Sequence, residues 1–286
     1  MPGVPEQLGL EGMPRRLFPA TPSRLAAYSR CPRLYHLSYL VRPAPAKGPP
    51  WGHNSLGAAV HNALREWWLL PAARRTPAAA GALLDAGWIE EGFRDGEQSA
   101  ACRVRARDWV EGYVAALDPA DEPVGVERQV AARTARLALT GRVDRIDARG
   151  GELVVVDYKT GRSQPDEDEA RGSLALAIYA LAAARTLRRP CGRVELHHLP
   201  TGQVAGWDHT AESLARHVAR AEDTAEDIVA ATDTLEAGAG PDEVFPPAPG
   251  RHCAWCDYRR HCPEGQAAEP VRAPWAGLPP DPPRRS

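Results

Sequence analysis

The run Leu153-Val154-Val155-Val156, closed by Asp157-Tyr158-Lys159-Thr160-Gly161, constrains the fold more than any other stretch of the chain. Four consecutive apolar residues, three of them β-branched, ended by a Thr-Gly turn, read as a short strand buried on both faces. Side chains alternate along a strand, so Asp157 and Lys159 project from one face with Cα atoms about 6.6 Å apart. The lysine is itself informative, because only two of the 35 cationic residues are Lys. In a chain that writes its positive charge as Arg, a Lys beside an acid supplies a compact ammonium that can approach a phosphate or a metal-bound water as a point charge.

Leu137-Ala138-Leu139-Thr140-Gly141-Arg142-Val143-Asp144-Arg145-Ile146-Asp147 reads as a second strand, and the turn Ala148-Arg149-Gly150-Gly151 makes the two a hairpin. Alternation places Asp144 and Asp147 on opposite faces, so only one of them can join Asp157 and Lys159. Asp144 shares its face with Ile146, where a lone carboxylate is costly unless it is paired or bound to a metal. Two carboxylates and a Lys on neighbouring strands form a hard oxygen site for a divalent cation beside an electrostatic catalyst. Arg145, Asp147 and Arg149 read as scattered surface charges. Glu127, on an upstream strand over residues 124–131, reads first as a carboxylate on a solvated face, with an additional acid near the metal as the alternative.

These residues resemble the core of the PD-(D/E)XK nucleases of the RecB type. Gly141-Arg142-Val143-Asp144 matches a G-x-x-D element and Asp157-Tyr158-Lys159 the D-x-K element. Gly57-Ala58-Ala59-Val60-His61 is similar to the G-x-x-x-H element of many members, and Leu174 to Tyr179 resembles the helix that carries Q-x-x-x-Y. The chain departs from the pattern at Ala175, where the family has Gln, so Tyr179 stands without that partner. The resemblance implies an α/β fold: a restriction-endonuclease-like mixed sheet flanked by helices, with an N-terminal helical subdomain. It also implies a metal-dependent deoxyribonuclease, expected to act as an exonuclease on single-stranded or end-containing DNA in repair or recombination. His61, Asp144 and Asp157 would then hold Mg²⁺ or Mn²⁺, with the Tyr158 carbonyl as a further ligand. Lys159 would orient or activate the attacking water, and Tyr179 would touch DNA or position Lys159.

Cys253-Ala254-Trp255-Cys256 and Cys262 give C-x2-C-x5-C, a spacing that gathers thiolates around one metal or cluster rather than into disulfides. The trio lacks a fourth ligand, and the flanking His252 and His261 leave zinc open. The segment from Thr21 to Tyr35, which contains Cys31, resembles the N-terminal segment of iron-sulfur nucleases of the RecB-like group. That resemblance implies a four-iron four-sulfur cluster on Cys31, Cys253, Cys256 and Cys262. Such a cluster would staple the two ends of the domain by closing a loop of roughly 220 residues. Cys102 and Cys191 read as small core residues. Relatives with this cysteine arrangement include CRISPR-associated exonucleases, so the expected partners are DNA and either a helicase in repair or an integrase in CRISPR spacer acquisition. A weakly active DNA-binding scaffold of the same fold is the remaining alternative.

A chain of 286 residues, 43% of them hydrophobic, is long enough for one sizeable core with a helical subdomain. The expected division is a disordered tail over 1–20, a helical region over 21–120 carrying Cys31 and His61, a nuclease core over 121–236, a cysteine-rich segment over 237–265 and a disordered tail over 266–286. Within it, helices are expected over 55–70, 80–117, 168–187 and 211–237, and a further hairpin over 193–208. No apolar run approaches the ~20 residues of a membrane span, and no secretory segment is evident, so an intracellular, cytoplasmic location is expected. No G-x-x-x-x-G-K-S/T loop occurs, which argues against a nucleotide cofactor. A net charge of −2 is low for a DNA enzyme. The basic surface is expected from Arg103, Arg105 and Arg107, from the arginines between Arg128 and Arg145, and from Arg259 and Arg260.

Overall fold

The computed structural model describes residues 17–279. At its centre is the expected hairpin, β3 (Leu137–Arg149) and β4 (Glu152–Lys159). Gly150 and Gly151 join the strands at φ of +57° and +90°, which glycine adopts without steric cost. One edge of β3 carries β2 (Gly125–Arg133), antiparallel. The other edge is shared: β4 pairs with residues 145–149, and β1 (Phe18–Ala20) pairs in parallel with residues 137–139. Residues 140–144 therefore face a gap between β1 and β4. Beyond β4 come β5 (Arg193–His198), parallel, and β6 (Gln203–Asp208), antiparallel. The parallel crossover from β4 to β5 runs through α6 (Glu167–Gly172) and α7 (Leu174–Leu187).

Each face of the sheet has its own helical layer, as a strand apolar on both sides requires. Val155 points into a core shared with α1 (Pro22–Arg30), α2 (Pro32–Tyr35), α7, α8 (Ala211–Glu236) and Phe245. Val154, Val156 and Tyr158 point into the opposite core, built with α3 (Gly52–Leu69), α4 (Pro77–Ala86) and α5 (Gly96–Ala115). Polar caps set the helix boundaries. Thr21 Oγ1 accepts the Arg24 N–H at 3.2 Å, with Pro22 at the first helical position, an arrangement in which the missing proline donor costs nothing. Asp95 caps α5, dividing the helix expected over 80–117, and Ser173 caps α7, dividing the one expected over 168–187.

Three expectations are corrected. Residues 18–20, placed in a loose tail, form β1 because the Phe18 N–H donates to the Arg136 carbonyl at 2.9 Å and Ala20 enters the core. Residues 266–279, also placed in a tail, include the end of α10 (Pro263–Ala268) and a docked turn. There the Pro274 carbonyl accepts the Gly52 N–H at 3.1 Å, and Trp275 and Leu278 pack on the α3 layer, apolar anchors that a Pro- and Gly-rich composition conceals. Residues 1–16 and 280–286 of those tails lie outside the described residues. Arg145, taken as a surface charge, is only 3% exposed. Its guanidinium pairs with Asp147 at 2.9 Å, donates to the Tyr113 hydroxyl at 3.0 Å and lies 5.3 Å from the Trp68 ring centroid. A delocalised cation can be buried when its donors and its faces are both occupied in this way.

Phe245, after α9 (Pro241–Val244), is fully buried against His36, Tyr35 and Tyr28, with centroids 5.3, 6.1 and 6.3 Å away. It fastens the C-terminal segment to the first helices. Phe245→Ala should lower stability by about 3–5 kcal/mol, measured as a fall in the urea midpoint; an unchanged midpoint would contradict this packing.

Candidate metal centre

The gap beside residues 140–144 gathers the chain's unusual polar groups. Arg145 pairs with Val156 as the last rung between β3 and β4. Beyond it the strands part, and the Asp144 carboxylate takes the Tyr158 N–H at 2.9 Å. α3 crosses the opening with His61, whose Nε2 lies 3.2 Å from the Tyr158 carbonyl and whose Nδ1 lies 3.3 Å from Asp144 Oδ2. α3 passes close to the turn after β4 at Gly57, where an added Cβ would stand 3.3 Å from Thr160 Oγ1. Both neighbours of the His61 ring are acceptors, which favours a proton on each nitrogen. Burial lowers its pKa, but the Asp144 hydrogen bond and the charges of Asp144, Asp157 and Glu127 outweigh burial and raise it.

Glu127 joins this group against the first of its two readings. In the β2–β3 ladder Val126 faces Arg145 and Arg128 faces Val143, so Glu127 lies opposite Asp144, with its backbone in the left-handed region at φ +47°. That conformation costs a non-glycine residue roughly 1–3 kcal/mol, and like charges facing each other across a ladder add to the cost. Ligand atoms of His61, Glu127 and Asp144 lie within 4.8 Å of one another, and no other such trio of His, Cys or carboxylate groups is found among the described residues. Burial, then Asp144, push the Glu127 carboxyl up. The sequence held one signal for it: the short β2–β3 turn sets the register that opposes residue 127 to residue 144.

Asp157 and Lys159 form an ion pair of 2.7 Å at the end of β4. Burial raises the Asp157 pKa against the pull of Lys159, and Asp144 adds to the rise. Burial acts to lower Lys159, but Asp157 more than reverses it and the ammonium is retained. Tyr179, on α7, is pushed up to about 12 by burial and by the charges of Asp157 and Asp144. Its ring lies against Gly141, where a Cβ would come within 2.4 Å of Cε1, which explains the glycine of the G-x-x-D element. An open cleft of about 500 Å³ exposes Thr21, Gly57, His61, Glu127, Asp144 and Tyr179.

The cysteines occupy a separate, mostly apolar pocket. Cys31, at the C-terminal cap of α1, lines it together with Cys253, Cys256 and Cys262. Three backbone amides point at sulfur: Ala248 to Cys31 at 3.4 Å, Gly250 to Cys253 at 3.5 Å and Gly265 to Cys262 at 3.3 Å. Burial raises the Cys256 and Cys262 thiols, which would need a metal's charge to ionise. His252 also lines the pocket, whereas His261 Nε2 donates to the Ala46 carbonyl at 2.9 Å. Cys102 and Cys191 are buried elsewhere, in the two cores.

The arginines expected to supply basic surface are largely committed within the molecule. Arg103 and Arg107 pair with Asp85, Arg136 with Glu226 and Arg142 with Glu127. Arg260 donates to the carbonyls of Ala46 and Lys47.

Sheet, gap and acid-lined cleft agree with the sequence comparison. The chain belongs to the PD-(D/E)XK nuclease superfamily, whose model matches residues 19–263. Members cleave phosphodiester bonds in DNA and use divalent metals. No curated protein matches the chain. A solved structure described as that of SSO0001 is similar at 15% identity over 89% of each chain, with a TM-score of 0.38. No helix among the described residues is long and apolar enough to cross a membrane.

Two outcomes follow for metal binding, both measurable by Mn²⁺ titration calorimetry. Glu127→Gln should weaken affinity by about 10- to 100-fold; unchanged affinity would remove Glu127 from the centre. The His61 pKa is raised by folding, so its contribution to stability is full below the ordinary value near 6.5 and fades as pH rises through the folded value. Metal must displace that proton, so affinity should climb with pH above 6.5 by up to about tenfold per unit, and a flat profile would exclude the imidazole as a ligand.

Proposed function

We propose that the chain is a RecB-like exonuclease that shortens DNA strands from their ends in repair or recombination, with an iron-sulfur staple closing the domain. The convergence of His61, Glu127 and Asp144 on the gap beside the Asp157–Lys159 pair carries the catalytic part of this reading. The donor set, one imidazole and carboxylates in a cleft open to solvent, fits a hard divalent cation. Mg²⁺ or Mn²⁺, held by His61, Asp144, Asp157 and Glu127, would neutralise the scissile phosphate and lower the pKa of a bound water.

The chain's own residues do the rest. Asp157 keeps Lys159 charged and aimed from the strand end, so its ammonium can orient the attacking water and donate to the oxygen where negative charge grows. Asp144 fixes the Tyr158 amide, and with it the position of the D-x-K turn. The Tyr179 ring closes the wall at Gly141 and offers its hydroxyl, neutral at all working pH values, to the DNA backbone. The intact donor set argues against a non-cutting scaffold, even though Ala175 leaves Tyr179 without the family's glutamine.

For the cysteine pocket, four thiolates with amide donors aimed at three of them suit an iron-sulfur cluster. A staple there would join α1 to the C-terminal segment.

Asp144→Asn should reduce cleavage of an end-labelled strand by about 100-fold or more, and Lys159→Arg should lose nearly as much because a planar fork replaces a point charge. Wild-type rates in either variant would sink that assignment. Anaerobically purified protein should hold about four irons per chain by elemental analysis, and Cys31→Ser should lose them together with several degrees of melting temperature. One zinc and no iron would overturn the cluster.

A further inference from the structure

A second cleft opens at the other end of the sheet. The end of α6, the end of β6 and the start of α8 enclose about 380 Å³ lined by Arg171, Trp207, Arg216, His217 and Arg220, with Asp208 at its edge. Arg216 and Arg220 are exposed on successive turns of α8, and among the described residues neither lies within ion-pair distance of a carboxylate.

The acids nearby are occupied. Asp208 pairs with Arg193 at 2.7 Å, and Asp168 pairs with Arg171 at 2.6 Å. Glu212, which attracts Arg216, turns back on its own N–H and on Thr210. The Arg171 guanidinium lies over the Trp207 ring, 5.3 Å from its centroid.

The floor holds polar atoms with nothing to bond. His217 is 8% exposed; its Nε2 donates to the Arg171 carbonyl at 3.1 Å and its Nδ1 has no partner. Trp207 Nε1, an obligate donor, is buried and unpartnered, as is Nε2 of the neighbouring His209, whose Nδ1 lies 2.9 Å from Ser213 Oγ. A buried donor without an acceptor costs about 1–3 kcal/mol, so Trp207 Nε1 points to a ligand that supplies one. His217 Nδ1 is an acceptor while burial, Arg220 and Arg216 hold the imidazole pKa down, and it becomes a donor when an anion beside it supports a second proton.

We propose that this cleft is a phosphate-binding site, in which Arg216 and Arg220 grip phosphate oxygens at the rim while Trp207 Nε1 and the His217 imidazolium donate from the floor. The guanidinium fork matches phosphate oxygens two at a time, and an anion there stabilises the second proton that His217 needs to donate. The cleft is open and larger than one phosphate, so it takes a phosphate carried on a chain. Gly172 lines this cleft and Tyr179, one helix further on, lines the metal cleft. Along the sheet, the step from the Arg193–Asp208 rung to the Lys159–His198 rung is five residues, about 17 Å. At ~3.4 Å of rise per nucleotide, the site would hold a backbone phosphate roughly five nucleotides from the bond being cut. The identity of the ligand as a DNA strand rests on the proposed function; the phosphate chemistry does not.

The test uses full-length protein with Ca²⁺ in place of the catalytic metal. Anisotropy of a labelled 12-nucleotide strand is measured across a salt series for wild type, Arg216→Ala/Arg220→Ala, and a control of equal charge, Arg133→Ala/Arg185→Ala. The cleft variant should bind about tenfold more weakly and lose about one to two units of the log–log salt slope. In Mg²⁺ it should show a raised KM with kcat unchanged. The control should change less than twofold, and equal weakening in both doubles, or none in either, overturns the site. In parallel, inorganic phosphate is titrated while the His217 imidazole is followed by NMR. A raised His217 pKa in wild type that is lost in the cleft variant supports the phosphate site even if no DNA binds, in which case the DNA reading of the whole chain is what fails. No response of His217 together with unchanged strand binding overturns the proposal.

Discussion

A β-strand can be hydrogen-bonded along only two edges, and part of one edge of β3 is left to side chains. β1 and β4 both claim that edge and part company between residues 140 and 144. The unpaired stretch is where Asp144 turns its carboxylate onto the Tyr158 amide, where Gly141 admits the Tyr179 ring, and where α3 can lower His61 into the opening. Glu127, Asp144 and Asp157 repel one another, and their charges raise the pKa of both His61 and Lys159. A divalent ion held among these groups would relieve all of these tensions at once, so the arrangement is electrostatically prepared for a cation.

Tyr158 links the two halves of the molecule. Its backbone belongs to the metal cleft, donating to Asp144 and accepting from His61. Its side chain points the other way, into the α3 and α5 layer, where its hydroxyl accepts from Trp68 Nε1 at 3.3 Å and Arg145 lies over its ring. The buried cation of that layer therefore anchors the residue that spaces Asp157 from Lys159. The alternation that separates cleft-facing from core-facing side chains along β4 is the same alternation that lets one residue serve both.

What the sequence made legible was local. The apolar run of β4, the Gly-Gly turn and the D-x-K ending are written in adjacent residues, so the hairpin and the shared face of Asp157 and Lys159 could be read from periodicity. The cysteine spacing was equally plain. Glu127 was legible only as the lesser alternative, because its place depends on the register between β2 and β3 and on a left-handed backbone that no propensity for Glu suggests. β1 has three residues, too few for a pattern, and exists only because β3 presents an edge to it. Arg145 looked solvent-exposed because the aromatic box that receives it comes from α3 and α5, distant in sequence. The docked turn at Trp275 and Leu278 was hidden by its prolines and glycines.

α1 begins with Thr21 and Ser23 on the wall of the metal cleft and ends at Cys31 in the cysteine pocket. Nine helical residues make a rod of about 13.5 Å, stiff because every interior amide is bonded along its axis. Its two ends report on each other mechanically. A tilt of ~10° about Cys31 would swing Ser23 by about 2 Å, a large fraction of the clearance beside a phosphate. Whatever grips the thiol end therefore sets the width of the opening at the other end, and loosening that grip would be felt as a change in the shape of the mouth before any loss of the acids within it.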